Sequence, residues 1–206
     1  MTQVLFSGDG AFGTDIGAML AASGLPMRPV EAGALVCEIA TGTSPVAIVA
    51  AAYPSATRLV AVDDVAAESG VVLLPVVFEA SYIRVGPWSD RRRGPCVSCY
   101  LTRRGQHEDR TIAAAYVTGT VRPPSGHMPH HIRLAAGLAL TLIEDAESPA
   151  TPGSVYAIRL AELAVTRHHV LGAHGCPRCG PPSVPAGTRV DWLAELADRR
   201  AVVAYG

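Results

Sequence analysis

Apolar residues along this chain fall in short runs, broken by glycine, proline and acidic positions. The run "VLF" (4–6) is strand-length and meets "SGDGAFG" (7–13). In "TDIGAMLAASG" (14–24), Ile16, Met19 and Leu20 share one helical face, Thr14 can cap the start and Gly24 can end it. The chain is therefore expected to open as strand, glycine loop, helix. "ALVCEIA" (34–40) predicts a second strand, and "LPMRPVEAG" (25–33), with two prolines, reads as a poor one. "SPVAIVAAAYPSA" (44–56) predicts a helix, with Ser44 as cap, Pro45 at the first helical position and Pro54 at the end. "RLVAVDD" (58–64) predicts a strand ending in acids. "VVLLPVVFEASYIRVGPW" (71–88) predicts a strand, a turn and a second strand. Alternating strands and helices with continuous apolar strands give an α/β, Rossmann-like, mostly parallel sheet covered on both faces.

The pattern changes after residue 88. "SDRRRGPCVSCYLTRRGQHEDR" (89–110) is polar, and "TIAAAYVTGTVRPPSG" (111–126) mixes short apolar pieces with a Pro–Pro break. "HIRLAAGLALTLIEDAE" (131–147) predicts a long helix on the stripe Ile132, Leu134, Leu138, Leu142 and Ile143. "SVYAIRLAELAVTRHHVLG" (154–172) predicts two strands or one bent strand, and a short helix is expected around 191–199. No internal repeat or linker interrupts the chain. We expect one domain over 1–206, with a Rossmann-like half (1–88) and a second half (89–206) carrying the long helix and the later strands.

Composition narrows the function classes. A chain of 206 residues buries roughly 70% of its unfolded surface, so a core needs no staple. Net charge is −1 and aromatics are 5%, which argues against nucleic acid and against an anionic membrane surface. All 17 basic residues are arginine, so no Schiff base or phosphate-gripping lysine is available. No signal peptide and no membrane-length apolar run occurs; a cytoplasmic protein is expected.

In that compartment paired cysteines serve as metal ligands or redox groups rather than disulfides. Cys96 and Cys99 form one CxxC, and Cys176 and Cys179 another, with 76 residues between the pairs. Two such loops close a tetrahedron of thiolates around zinc, and four thiolates leave no open catalytic position. The expectation is a structural zinc that ties the second half together. A redox dithiol is the alternative, although it needs no second pair. Cys37, within the run 34–40, reads as inert core.

Other positions are ambiguous. Gly8, Gly10 and Gly13 fit the dinucleotide-binding pattern GxGxxG, but Asp9 would oppose a phosphate, and a tight turn kept for packing explains the glycines equally. Asp63 and Asp64 could bind Mg²⁺ or form a solvated strand end. His127, His130 and His131 could ligate a metal or form a solvated first helical turn. His174 could orient a thiolate or lie exposed. Arg91, Arg92 and Arg93, with Trp88 on their shoulder, could engage an acidic partner or peptide. No catalytic grouping can be read from spacing.

The strand–loop–helix start, "LLPVVFEASYIRVGPW", "GPCVSCYLTRRG" and "RHHVLGAHGCPRCG" together resemble one family: the ThiF-like, ubiquitin-activating-type domain of azoline-forming cyclodehydratase complexes, which mature thiazole/oxazole-modified peptides. The matching residues are Leu74, Pro75, Val85, Gly86, Pro87, Gly94, Pro95, Cys96, Cys99, His169, Cys176 and Cys179. The resemblance implies a ThiF-type fold with the four cysteines as zinc ligands. It implies a non-catalytic partner or scaffold that binds a YcaO-type cyclodehydratase, a precursor peptide or both, with ATP used by that partner. It also implies a homodimer. The glycine loop begins near residue 8, which leaves no room before it for the leader-binding winged helix of the family, so the chain reads as a truncated ThiF-like domain. An active ATP-dependent adenylyltransferase acting on a peptide or carrier-protein C-terminus is the alternative, and a dinucleotide-binding oxidoreductase is a third class.

Overall fold

The computed structural model describes residues 3–42, 44–79, 81–107 and 126–179. In chain order these form β1 (Val4–Gly8), α1 (Gly10–Ala22), β2 (Met27–Pro29), α2 (Leu35–Thr41), β3 (Val46–Ala52), α3 (Ala56–Glu68), β4 (Val72–Phe78), β5 (Tyr82–Val85), α4 (Val97–His107), α5 (Pro129–Glu144), β6 (Ser154–Arg159) and β7 (Val165–His169). Among the described residues the strands make one sheet in the order β2-β1-β3-β4-β5-β6-β7. β2, β1, β3 and β4 run parallel. β5, β6 and β7 join as antiparallel neighbours: short turns link β4 to β5 and β6 to β7, whereas β6 returns beside β5 after a long connection that carries α4 and α5.

Helices cover both faces. On one face Ile16 and Leu20 of α1 and Ile132, Ala135, Ala139 and Leu142 of α5 pack on Phe6, Ile48, Leu74 and Val76. On the other, Leu35 and Ile39 of α2, Leu59 and Val62 of α3, and Val97 of α4 pack on Leu5, Ala47, Val49 and Leu73. A strand covered on both faces needs no alternation, and β3 shows this: its first six residues are all buried.

Three predicted elements change type. Residues 34–40 are helical rather than extended, since Leu35 and Ile39, four apart, bury one side while Val36 is exposed. Residues 46–52 form the strand β3 rather than a helix. Residues 58–64 lie in α3, capped by Ser55, whose side chain accepts from the Arg58 amide at 3.3 Å. Two elements went unpredicted, the edge strand β2, where Pro29 is tolerated, and the helix α4. The helix expected near 191–199 lies outside the described residues, as does the segment 111–125.

Candidate metal centre

α4 begins immediately after Cys96 and contains Cys99 one turn in. The loop leaving β7 carries Cys176 and Cys179. Val155 and Val170 pack around the buried Cys96 and Cys99, and this small cluster joins the later strands to α4. One sulfur from each cysteine completes a group within 4.8 Å of one another. Cys96–Cys99, Cys96–Cys176 and Cys99–Cys179 sulfur separations are 3.8, 3.7 and 3.3 Å. A tetrahedron with metal–sulfur bonds of about 2.3 Å has edges of about 3.8 Å, so the four thiols fit a metal ion. Four sulfur donors fill such an ion's coordination, leaving no position for water or substrate. Among the described residues this is the only such group of His, Cys, Asp and Glu side chains.

The thiols differ in acidity. Burial pushes the Cys96 thiol well up. Burial and contact with Cys99 push Cys179 up to about 11. Cys176 is also raised by burial, but the amides of Cys179 and Arg178 and the neighbouring thiols outweigh this and bring it down to about 7. The Ala173 amide donates to the Cys99 sulfur at 3.2 Å, and Arg103 on α4 donates to the carbonyls of Leu171 and Gly172 at 3.5 and 3.1 Å.

The acidic pair on α3 supports this centre from behind. Asp63 is 1% exposed because it falls on the buried stripe of α3 with Leu59, Val62 and Ala66. Its carboxylate accepts from the Ser89 hydroxyl at 2.5 Å and from the Val97 amide at 3.2 Å. It thereby satisfies an otherwise orphaned amide at the start of α4. Burial raises its pKa against the lowering effect of Ser89 and Val97. Asp64 accepts from Arg91 at 3.2 Å and from Arg178 at 2.9 Å. The sequence offered Mg²⁺ or a solvated strand end for this pair; it is instead helical and engaged by the metal centre's own segments. The missed signal is the three- and four-residue spacing of Leu59, Val62, Asp63 and Ala66. Replacing Asp63 with alanine is expected to cost about 1–2 kcal/mol, read as a lower urea midpoint; an unchanged midpoint would deny the cap.

A second buried group went unread in sequence. Glu79, 1% exposed at the end of β4, pairs with Arg104 of α4 at 2.6 Å and with Arg84 of β5 at 3.4 Å. Arg84 also donates to the Gly86 carbonyl and lies 4.5 Å from the Tyr100 ring centre. Burial alone would lower the Arg104 pKa, but the charge of Glu79 outweighs it and raises it.

The remaining candidates fall elsewhere. Gly8, Gly10 and Gly13 form the β1–α1 turn. A Cβ on Gly13 would lie 2.5 Å from the Ala50 carbonyl oxygen, and one on Gly8 would lie 2.7 Å from that of Gly13; close packing requires both glycines. Asp9 in that loop is held by Arg58 at 3.1 Å. Trp88 is core, 1% exposed, rather than a surface shoulder. It stands in the wall of a cleft of about 620 Å³ edged by Arg92 and Arg93. Arg92 donates to Gly70 O and Arg93 to Asp90 and Ala146 O. His131 starts α5, its Nδ1 accepting from the Met128 amide at 3.4 Å, and its ring packs edge-on against His130. His127 meets Asp15 at 2.6 Å between Phe12 and Phe78. Cys37 is exposed on α2 rather than core, and His174 is exposed. No helix among the described residues is long and apolar enough to cross a membrane.

No protein-family model and no curated protein matches the chain's sequence. Solved structures match its fold. A heterocyclase described in complex with substrate and cofactor aligns with a TM-score of 0.60 at 16% identity, over 87% of this chain and 25% of that one. The heterocyclase TruD aligns with 0.61 at 18%, over 87% and 27%. E. coli MccB aligns with 0.62 at 12%, over 89% and 66%. MccB, a microcin C7 biosynthetic enzyme, is also seen in complex with N-formylated MccA. This chain thus spans about a quarter of the heterocyclases' length and two thirds of MccB's. At these identities the likeness is one of fold, and it is the fold that the ThiF-like resemblance implied.

Proposed function

We propose that this chain is a non-catalytic, zinc-stapled ThiF-like partner in the biosynthesis of azoline-containing ribosomal peptides, binding a YcaO-type cyclodehydratase, the precursor peptide or both. The observation that carries this reading is the four-thiol cluster joining α4 to the loop after β7, on a fold shared with heterocyclases and MccB. Zinc suits four thiolates at these separations and would act structurally. We read 1–206 as one ThiF-like unit working in the cytoplasm as a homodimer. Arg91, Arg92 and Arg93 remain candidates for an acidic partner, with Trp88 supporting them from the cleft wall. The absence of lysine and the engagement of Asp9 by Arg58 favour a scaffold over an enzyme that grips ATP at Gly8, Gly10 and Gly13. The alternative is a ThiF-type adenylyltransferase acting on a peptide C-terminus, which the likeness to MccB favours.

Reconstitution separates the two. Added to a YcaO-type cyclodehydratase and its precursor, the chain should co-purify with them and raise ring formation, read as loss of one water per azoline. Saturable ATP binding with pyrophosphate exchange by the chain alone would favour the alternative, and failure to retain enzyme or peptide would remove the scaffold role.

Metal uptake should depend on pH. At neutral pH the thiols of Cys96 and Cys179 carry protons in the metal-free chain, and binding must displace them. Raising pH therefore favours the loaded form, by about tenfold per proton released per pH unit. Each thiol that gives up its proton on binding adds one such factor, so with these two alone affinity between about pH 6 and 8 should rise at least roughly 100-fold per unit, as measured by competition with a chelator of known pH dependence. A flat profile would contradict thiolate ligation.

A further inference from the structure

The two halves of the thiol cluster are held very differently. Cys96, immediately before α4, and Cys99, within it, are 0% exposed; the start of this helix is fixed by Asp63, and its first residue, Val97, sits in the core. Cys176 and Cys179 are only partly buried, on a loop. Between them Arg178 reaches back to α3, where its Nε lies 2.9 Å from Asp64 Oδ1. The same oxygen accepts from Arg91, just before the first cysteine pair, at 3.2 Å. One carboxylate thus bridges the segment leading into the first pair and the loop that carries the second.

We propose that Asp64 is a positioning residue for the metal centre: through Arg178 it latches the Cys176–Cys179 loop closed, and the ion leaves by release of that loop. This rests on the zinc reading given above. Release through α4 would expose two fully buried sulfurs, uncover Val97 and strand the Asp63 carboxylate. Release through the second loop breaks two metal–sulfur bonds and one ion pair that is already about one-third exposed, at 36% and 35%. A zinc ion held there would then be open to chelator or water, and the freed thiolates of Cys176 and Cys179 would take up protons from solvent. An exposed pair of this kind contributes little, so its loss should speed release about three- to fivefold. Salt should weaken it in the same direction.

The test uses the full chain loaded with Zn²⁺ and mixed with excess 4-(2-pyridylazo)resorcinol, whose absorbance reports zinc release. Arg178→Ala and Asp64→Ala should each release zinc three- to fivefold faster than wild type. The double variant should be no faster than either single one, because the pair acts as a unit. Raising NaCl to about 0.5 M should accelerate wild type towards the variants and leave the variants nearly unchanged. Co²⁺-loaded samples should keep the same thiolate charge-transfer band throughout, which shows that all four ligands stay in place. Equal release rates, additive effects in the double variant, or salt acceleration of the same size in every protein would overturn the latch. A wild-type chain that retains no zinc would instead overturn the zinc reading, and the latch with it.

Discussion

Cys96→Ser is expected to abolish stoichiometric zinc binding and to lower the melting temperature by about 8–16 °C. An ion that binds the folded chain and not the unfolded one stabilises it by mass action, about 4 kcal/mol when free zinc is 1,000-fold above Kd. For a chain of this length each kcal/mol moves the melting temperature by roughly 2–4 °C. Cys96 is the sensitive position because its sulfur faces both Cys99 and Cys176 in a fully buried setting, where a serine hydroxyl is a poor ligand. Cys37→Ser is the matched control. Cys37 is exposed on α2 and stands outside the cluster, so metal content and melting should not move. Scanning calorimetry with elemental analysis of both variants checks this. A Cys96→Ser chain that keeps one zinc and melts with wild type would contradict the staple.

Glu79→Gln is expected to be comparably damaging, at roughly 3–5 kcal/mol, without removing any thiol. Glu79 and Arg84 are 1% and 2% exposed in their side chains, and Arg104 adds a second guanidinium at 2.6 Å. Neutralising Glu79 takes from both guanidiniums the carboxylate they share in a poorly solvated site, and breaking a buried pair costs more than forming it contributes. Arg104 belongs to α4, so the loss should also loosen the helix that carries Cys99. Urea unfolding followed by far-ultraviolet circular dichroism measures the effect. A change under about 1 kcal/mol would mean that water reaches Arg84 and screens it, contrary to its burial.

Both predictions concern side chains that the sequence revealed to different degrees. The four cysteines were legible because their spacing is itself the chemistry: CxxC presents two sulfurs whatever the surrounding fold. The opening β1–α1 unit was legible because Gly8 and Gly13 punctuate a clear change from apolar run to helical stripe, and α5 because its stripe extends over four turns. The pair β4–β5 read correctly because a short polar break at 79–81 separates two strand-length runs within 71–88. By contrast, α2, β3 and α3 were exchanged in type. Their segments are short and rich in alanine and valine, so neither period stands out, and alanine's helix preference is overridden where β3 lies between two helix layers. Moving Pro54 and Ser55 from the end of a helix to the start of the next would have corrected all of 44–64. α4 was hidden by its polar face, though Val97, Tyr100 and Leu101 at three- and four-residue spacing were the available signal. Asp63 and Glu79 were missed for a further reason. Burial of a carboxylate depends on which partners the tertiary fold brings, here Ser89, Val97, Arg84 and Arg104, and none is a sequence neighbour close enough to suggest it.

Four-thiolate ligation is decided by X-ray absorption at the zinc edge on the full chain purified without added metal. One zinc per chain is expected, with four sulfur neighbours at about 2.3 Å, and that signal should be lost in Cys176→Ser as well as in Cys96→Ser. Nitrogen or oxygen in the first coordination sphere, or a chain that carries no zinc, would contradict it.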